Sequence, residues 1–559
     1  MNRRNFIGYS IAGGVLSALP TTLISCRNAS QIKGAKELSA DIVIIGGGMG
    51  GCATALGALR NGLKVIMTEE TDWIGGQITQ QGVPPDENPW IETHGSTQSY
   101  RDFRTAIRDY YKRVYPMTDE ARARIQLNPG DGSVSRICHE PRVTLAVLTD
   151  MFNPFISSGR LTLLLEYKAV AADVVGNKVS AIKVSGRLND IILNAPYFVD
   201  ATEMGDLLPL TGTEFVTGTE SKKDTGELHA SDTSDPQNQQ AFTMCFAMDY
   251  EKGADHTIDK PSEYDFWRSH VPDFKPAWSG RLLDLTYCNP STLEPKKLGF
   301  HPEGIDTGDA LNLWNYRRII NKNNFLPGTF VGDISMVNWP QNDYALGTLD
   351  TDFHTHVARA KQLSLSLLYW LQTECPRPDD GQGWPGLRLR GDLMGTEDGL
   401  AKYPYVREAR RIKASFTILE EHVGKEQRLA VSGDDHAAPF ADSIGIGYYR
   451  IDLHPSTKGN NYIDFESLRY QIPLGALIPQ RMENLLPVCK NIGTTHITNG
   501  CFRLHPVEWN IGESVGTLVG FALQHKVSPR TIRETSALME DFQNAIRSQG
   551  VETEWRPDS

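Results

Sequence analysis

Histidine and arginine side chains in two short stretches of the 559-residue chain could take part in proton transfer. The stretch THITNGCFRLHPVEWN places His496, Arg503 and His505 close together, and YYRIDLHP places His454 among tyrosines and charged residues. Histidine can accept a proton from a substrate because its charge changes near neutral pH, and arginine can hold or protonate a polar group. The alternative is that each histidine is structural, bonded to the backbone or packed against a residue such as Pro455. The catalytic candidates are therefore His496, His505, Arg503 and His454.

Two more groups of charged residues have alternative interpretations. Arg407, Arg410 and Arg411 would share one face if their segment were a helix, where they could bind a carboxylate. They could equally form salt bridges with nearby glutamates on a solvated surface. The stretch CHEPR at 138–142 resembles a metal or thiolate site, but the sequence has no second cluster at ligand spacing, so we predict no metal.

These residues must be positioned by secondary-structure elements, and the clearest sequence pattern for such elements follows residue 41. The apolar run Ile42–Ile45 predicts a buried strand, and the glycines after it contain G-x-G-x-x-G at Gly46, Gly48 and Gly51. A helical pattern and a second strand ending at Glu69 follow. In this arrangement the glycines allow a tight turn, leave room for a pyrophosphate and let the helix approach the sheet. The helix N-terminus attracts the phosphates, and Glu69 can accept hydrogen bonds from a ribose diol while repelling a 2′-phosphate. We therefore predict a site for FAD or NAD rather than NADP.

Further along, the chain contains DWIGGQIT, SRICHEPRV, YFVDATEMGDLLPLTG, ADSIGIGYYRIDLHP and NLLPVCKNIGTTH. With these segments it resembles the bacterial FAD-dependent oxidoreductases of the glutathione-reductase-like superfamily, in the branch near fumarate reductase flavoproteins. The resemblance implies an α/β fold: a Rossmann-like FAD-binding domain, discontinuous in the chain, with an inserted α+β substrate or cap domain. It also implies FAD as the cofactor, held without a second nucleotide-binding domain. Together, the glycine-rich turn and the resemblance predict these cofactor contacts: Gly46, Gly48, Gly51, Glu69, Gly76, Gln77, Arg142, Val170, Asp200, Asp206, Asn491 and Gly512.

The predicted domains alternate along the chain. We expect the FAD-binding domain at residues 41–95, 150–215 and 475–530, the substrate or cap domain at 96–149 and 216–474, and a C-terminal helix and tail at 531–559. Local patterns predict a hairpin turning at Gly176–Asn177, a mobile polar loop over 217–240, a long helix over 350–372 and a closing helix over 528–547. Cys489 and Cys501 are the pair to examine first for a disulfide.

The N-terminus predicts export. Arg3 and Arg4 precede an apolar run that ends in LISC at Cys26, which resembles a twin-arginine signal peptide with a lipobox. We predict a signal peptide at 1–26, lipidation at Cys26 and a linker at 27–40, with an ordinary signal peptide and an incidental cysteine as the alternative. The expected location is periplasmic or outer-membrane-associated, with membrane contact only through the lipid anchor. A net charge of −12 argues against a nucleic-acid partner.

Three functions follow from these signals. The leading hypothesis is an exported FAD-dependent dehydrogenase that transfers hydride from a small polar substrate, such as a sugar derivative, to FAD. Its electrons would pass to a quinone or a c-type cytochrome. The first alternative is a periplasmic flavin reductase of an activated C=C bond, in which Arg503 would matter more than the histidines. The second is a non-catalytic glycan-binding surface lipoprotein, which the intact glycine-rich turn disfavours.

Overall fold

The structure, a computed structural model, describes residues 36–556. Its strands are β1 Lys36–Ser39, β2 Ile42–Ile45, β3 Val65–Glu69, β4 Leu161–Leu165, β5 Tyr167–Val175, β6 Lys178–Gly186, β7 Asp190–Asn194, β8 Tyr197–Asp200, β9 Phe215–Val216, β10 Phe242–Thr243, β11 Phe246–Tyr250, β12 Thr286–Cys288, β13 Pro295–Lys297, β14 Arg318–Ile320, β15 Ile334–Val337, β16 Asp343–Tyr344, β17 Leu387–Leu389, β18 Arg411–Ile412, β19 Ser443–Gly447, β20 Ile451–Leu453, β21 Ile463–Phe465, β22 Tyr470–Pro473 and β23 Leu485–Pro487. Its α-helices are α1 Met49–Arg60, α2 Gln98–Val114, α3 Asp119–Ala123, α4 Pro141–Ser157, α5 Leu207–Thr211, α6 Lys222–Thr225, α7 Tyr264–Ser269, α8 Leu313–Tyr316, α9 Phe353–Thr373, α10 Gly391–Met394, α11 Glu420–Val423, α12 Lys425–Ser432, α13 His496–Phe502, α14 His505–His525, α15 Pro529–Glu534 and α16 Ser536–Ser548. The predicted signal peptide, with Arg3, Arg4 and the lipidation site Cys26, lies outside the described residues.

A parallel sheet in the order β23-β8-β2-β3-β4 carries the glycine-rich turn. Strand β2 is fully buried, which suits its sequence IVII because both faces of a parallel sheet are covered by other elements. The carboxyl ends of β2, β3 and β8 meet at one edge, where ligands bind in sheets of this kind. Segments far apart in the sequence thus form one surface, and the predicted Rossmann-like α/β fold is confirmed.

Helices α1 and α14 cross closely through glycines. A Cβ atom on Gly512 would lie 2.1 Å from the carbonyl oxygen of Gly50, and one on Gly516 would lie 2.2 Å from that of Thr54. Any larger residue would hold the helices apart, so these glycines, one helical turn apart, bring α14 onto α1. Gly512, a predicted cofactor contact, is buried in this helix pair.

A second sheet has the order β1-β7-β6-β5. Strands β5 and β6 form the predicted hairpin, which turns at Gly176 and Asn177. Strand β1 pairs in parallel with β7, with Lys36 opposite Ile191. The last residues of the predicted linker, 36–39, are therefore a strand, because Leu38 packs against the buried apolar residues of this sheet.

The segment between the sheet strands β8 and β23 contains an antiparallel sheet, β14-β15-β11-β17, and the predicted long helix, observed as α9. Residues 217–240, for which we predict a mobile or partly disordered loop, contain helix α6 and several buried side chains. Glu227 in this segment is buried and accepts hydrogen bonds from the Thr495 hydroxyl at 2.6 Å and the Glu420 N–H at 2.9 Å. Its polar side chains bind partners hundreds of residues away, which composition alone does not show.

Three further expectations need correction. The segment containing Arg407 and Arg410 is not helical and leads into β18 at Arg411, so the three arginines do not share a helix face. The predicted closing helix is two helices, α15 and α16. Cys489 and Cys501 are buried free thiols. Within residues 36–556, no helix has the length and apolar character needed to cross a membrane.

Candidate active site

The turn between β2 and α1 is a cradle that requires glycine at two positions. Gly46 has a φ of +99°, and a Cβ atom there would lie 2.2 Å from the carbonyl oxygen of Ala201. A Cβ atom on Gly51 would lie 2.4 Å from the carbonyl oxygen of Gly46. Helix α1 begins after Gly48, and within the described residues its first turn has neither an acidic residue nor a side-chain cap. The helix start therefore offers N–H donors and a positive dipole to an anion.

Glu69, at the end of β3, lines a cavity beside this cradle together with Lys168 and Tyr403. Its carboxylate accepts hydrogen bonds from the N–H groups of Gly47 at 2.9 Å and Thr71 at 2.8 Å. Burial raises the pKa of Glu69 to about 7, although these hydrogen bonds oppose the shift. The carboxylate lies where the motif places a ribose partner.

Four other predicted cofactor contacts lie near the cradle. Asp206 lines the same cavity, and the Cβ position on Gly76 is 2.8 Å from the Cα atom of Gly48. Asp200 and Asn491 hold loops in place instead. Asp200 accepts hydrogen bonds from the loop that follows it, and Asn491 donates one to the Asp200 carbonyl oxygen at 3.1 Å.

Val170 and Arg142 are exposed and are not among the residues that line this cavity. Val170 is 45% exposed on β5, whereas its neighbour Ala169 lines the cavity, because successive side chains of a strand point to opposite faces. Arg142 is exposed, donates a hydrogen bond to the Asp392 carbonyl oxygen at 2.6 Å and lies 5.3 Å from the Trp73 ring.

Lys490, Glu203 and Glu508 form a buried charged cluster beside the cradle, which the sequence analysis did not identify. Lys490 Nζ lies 2.6 Å from Glu203 Oε2 and 3.0 Å from Glu508 Oε1. Burial raises the pKa of Glu508 to about 7. Glu203 Oε1 lies 3.0 Å from the Cβ position on Gly48 and 2.7 Å from that on Gly76. The Glu203 carboxylate therefore lies directly beside the glycines of the cradle. The one sequence signal is a lysine ending the apolar run LLPVCK.

Among the buried polar atoms that lack a hydrogen-bond partner in residues 36–556 are Glu203 Oε1, Gln77 Oε1, Gln81 Oε1 and Nε2, Glu508 Oε2 and His505 Nε2. Buried polar groups in proteins normally have partners, so a ligand is expected to supply them. Gln77 donates a hydrogen bond to the Arg503 carbonyl oxygen at 3.2 Å, and His505 Nδ1 accepts one from the Asp86 N–H at 3.3 Å. The cradle, Glu69 and these atoms fit a ligand with phosphates at one end and a polar ring system at the other, as in FAD.

A second cavity has a volume of about 220 Å³. Ligand pockets commonly measure about 300–1,000 Å³, so this one suits a small molecule. Two of the predicted catalytic residues, His454 and Arg503, line it. Its charged lining residues are Asp86, Arg317, Arg407, Arg450, Asp452, His454, Asp464 and Arg503.

His454 is paired with an aspartate that the sequence analysis did not identify. His454 Nδ1 lies 2.6 Å from Asp343 Oδ2. The other carboxylate oxygen of Asp343 lies 3.0 Å from Arg407 Nη2 and accepts a hydrogen bond from the Thr243 hydroxyl at 2.6 Å. Burial alone would raise the pKa of Asp343, but Arg407 and His454 hold it below its ordinary value. Because a carboxylate only accepts, Asp343 orients His454 with its Nδ1–H inward, and Nε2 can accept a proton.

Arg503 and His505, two residues apart, have different environments. Arg503 donates hydrogen bonds to the Tyr405 hydroxyl at 2.9 Å and to the Asp452 carboxylate at 3.1 Å. Burial opposes its charge, but Tyr405 and Asp452 raise the pKa of Arg503, which stays protonated. His505 is fully buried at the start of α14, and burial lowers its pKa well below the ordinary value, so the ring is neutral.

His496 lies in a buried network and is not among the residues that line the second cavity. Its Nδ1 lies 3.0 Å from both carboxylate oxygens of Glu408, which also binds Arg411. Arg411 in turn lies 2.8 Å from Glu220. The His496 ring is thus held by a carboxylate rather than by the backbone, and its catalytic role stays a prediction.

Residues 41–546 of the chain match the protein family described as FAD dependent oxidoreductase. The chain belongs to this family. Membership confirms FAD as the cofactor and an FAD-dependent oxidoreductase as the enzyme class, and it removes the non-catalytic glycan-binding alternative. The comparison with curated proteins finds no match.

Solved structures of flavoproteins are similar to the chain. OxyS anhydrotetracycline hydroxylase from Streptomyces rimosus is 10% identical over 91% of this chain and 66% of its own, with a TM-score of 0.32. A geranylgeranyl bacteriochlorophyll reductase-like protein from Thermoplasma acidophilum is 9% identical over 92% of this chain and 85% of its own, with a TM-score of 0.31. L-proline dehydrogenase from P. horikoshii is 16% identical over 33% of this chain and 25% of its own, with a TM-score of 0.18. The chain spans 25%, 50% and 48% of the length of three of the solved structures it matches. Likenesses at this level carry no argument about substrate.

Proposed function

We propose that this FAD-dependent oxidoreductase is an exported dehydrogenase that transfers hydride from a small polar substrate, such as a sugar derivative, to FAD. The observation that supports it is the pairing of His454 with Asp343 at 2.6 Å in the wall of the second cavity. A dehydrogenase of an alcohol needs a base for the hydroxyl proton, and a histidine oriented by a buried carboxylate is suited to that task.

In this proposal, residues at the cradle bind FAD and residues of the second cavity act on the substrate. When bound, FAD supplies a two-electron acceptor for hydride. Gly46, Gly48 and the start of α1 hold its phosphates, and Glu69 binds the ribose. His454 Nε2 accepts the substrate proton, while Asp343 keeps the ring in the reactive tautomer and stabilises its charged form.

Export and the electron acceptor are part of the same proposal. The paired arginines Arg3 and Arg4 support a twin-arginine signal, and Cys26 ends the apolar run as a lipobox would. A lipid anchor at Cys26 would keep the enzyme at a membrane surface, where a quinone or a c-type cytochrome could accept its electrons. The sequence has one glycine-rich turn in a strand–turn–helix context, which does not favour NADH as the electron partner.

Anaerobic reduction of the bound flavin tests the dehydrogenase. The mature chain is purified, its visible spectrum is recorded, and pools of sugars, polyols and hydroxy acids are added without oxygen. We expect one pool to bleach the flavin absorbance, and the same pool to act far more slowly on His454→Gln. A protein that binds FAD but is bleached by none of the pools contradicts the proposed direction of reaction.

The C=C reductase is the second candidate, and the position of Arg503 favours it. Arg503 lines the cavity, stays charged, and its Nε has no hydrogen-bond partner within residues 36–556. A positioned arginine could deliver a proton to a carbon while hydride is transferred from the reduced flavin. Chemically reduced enzyme should then be reoxidised by an enoate in the absence of oxygen, and Arg503→Lys should slow that reaction.

A further inference from the structure

The second cavity offers hydrogen-bond donors that the protein itself does not use. Within the described part of the chain, the buried atoms of its lining residues without a partner are Arg317 Nε and Nη1, Asn338 Nδ2, Trp339 Nε1, Arg407 Nε, Arg503 Nε and the Tyr462 hydroxyl. Every one can donate a hydrogen bond, and only the hydroxyl can also accept. A ligand must therefore bring acceptor oxygens, and a cationic amine would leave these donors unpaired.

The arginines of this cavity differ in how fully their charges are neutralised. Three lie close to a carboxylate oxygen: Arg407 at 3.0 Å from Asp343, Arg503 at 3.1 Å from Asp452 and Arg450 at 2.5 Å from Asp464. The Arg317 guanidinium is 3.8 Å from its carboxylate, that of Asp86. Burial disfavours the charged form of Arg317, but Asp86 raises the pKa of Arg317, so the guanidinium stays charged.

We propose that Arg317 binds the carboxylate group of a substrate that carries a single negative charge. This inference rests on the proposed function in that it takes the second cavity as the substrate site. Arg317 Nε and Nη1, on two edges of the guanidinium, can each donate a charge-assisted hydrogen bond to a ligand oxygen, and the single nitrogen of a lysine cannot occupy both positions. Arg317 is one incompletely neutralised cation, so it can balance one carboxylate of a substrate. A second carboxylate on the same substrate would be buried without a cation of its own. Monocarboxylates are therefore preferred over dicarboxylates.

Binding measurements on the FAD-loaded enzyme test this inference without requiring turnover. Isothermal titration compares acetate, lactate and benzoate with acetamide, lactamide and benzamide, and adds succinate as a dicarboxylate. We expect at least one acid to bind at least tenfold more tightly than its amide, and succinate to bind no more tightly than that acid. Arg317→Met and Arg317→Lys should each lose most of the preference for the acid while binding the amide as before.

Arg318→Lys is the matched control, because Arg318 is the next residue, pairs with Asp333 at 2.9 Å and is not a lining residue of the cavity. It should keep the wild-type preference, and flavin content and melting temperature show whether each variant is folded. If Arg317→Met does not fold, Arg317→Lys still decides the question. The inference is overturned if no acid binds better than its amide, if the preference survives in the Arg317 variants, or if succinate binds tenfold more tightly. Acid binding without bleaching would instead contradict the dehydrogenase and leave the carboxylate site intact.

Discussion

Replacing Asp343 with asparagine tests whether His454 acts as the base. The substitution keeps the shape of the side chain and removes the negative charge that lies 2.6 Å from His454 Nδ1. An asparagine can also present its amide to the ring, which would favour the wrong tautomer. Asp343 does not line the second cavity itself, so the change acts through His454 and Arg407, which it binds, rather than by direct contact with the substrate.

The expected loss follows from the charge that His454 gains when it accepts a proton. With charge centres roughly 4 Å apart and an effective dielectric constant of about 20, the attraction is about 4 kcal/mol. The His454 side chain is 19% exposed, so solvent screens part of this attraction. A range of about 2–4 kcal/mol corresponds to a roughly 30- to 900-fold fall in kcat/KM.

The assay is the rate of anaerobic flavin reduction by the substrate that the screen identifies. The kcat/KM of Asp343→Asn should fall by the factor given above, because His454 loses the counter-ion for the charge that it gains. Adding His454→Gln to the asparagine variant should cost little more, since the two residues act as one unit. Asp333→Asn, which alters a buried aspartate–arginine pair outside the cavity, should keep the wild-type kcat/KM. An Asp343→Asn enzyme within threefold of wild type would refute the assignment.

Three other predictions concern the cofactor and export. Glu69 has a pKa raised to about 7, so its charged form is lost as the pH falls through 7, and the affinity of the apoprotein for FAD should fall with it, as measured by fluorescence quenching. Glu69→Gln should remove this pH dependence, and a wild-type affinity that does not change between pH 8 and pH 5.5 would contradict the prediction. Glu203→Gln removes a negative charge from beside Gly48 and one of the two carboxylates that neutralise Lys490, so it should bind FAD more tightly, by up to roughly tenfold (about 1.4 kcal/mol). Weaker binding in the same titration would show that Glu203 assists the phosphates. Replacing Arg3 and Arg4 by lysine should leave flavin-loaded protein in the cytoplasm, as measured by fractionation, and unchanged export with full flavin content would argue against the twin-arginine signal.

The nucleotide cradle could be predicted from the sequence because every part of it is local. Strand, turn, helix and second strand follow one another within residues 42–69, so spacing alone places Gly46, Gly48 and Glu69 at one sheet edge. The hairpin at Gly176–Asn177 was predictable for the same reason. The family resemblance added segments from the rest of the chain, which fixed the fold class but not the side-chain contacts.

The second cavity could not be predicted because its parts are distant in the sequence. His454 and Asp343 are 111 residues apart and no spacing rule joins them. The spacing of Arg407 and Arg410 suited either a shared helix face or a solvated surface, yet the segment is not helical and Arg407 is buried, because tertiary contacts decide where each guanidinium lies. Nothing in the sequence around Arg317 distinguishes it from other arginines. What distinguishes Arg317 is its 3.8 Å distance from the nearest carboxylate, which only the fold shows.

The environments of the candidate residues, more than their types, separate their roles. His505 has the right chemistry for a base, but full burial keeps it neutral and lowers its pKa well below the ordinary value, so it is poorly suited to hold the substrate proton. His496 is paired with Glu408 as His454 is with Asp343, but it does not line the second cavity. His454 combines a counter-ion with access to the cavity, which is why we propose it as the proton acceptor. Lys490 shows the same dependence on environment: it lies between two carboxylates at the cradle, which balance its charge.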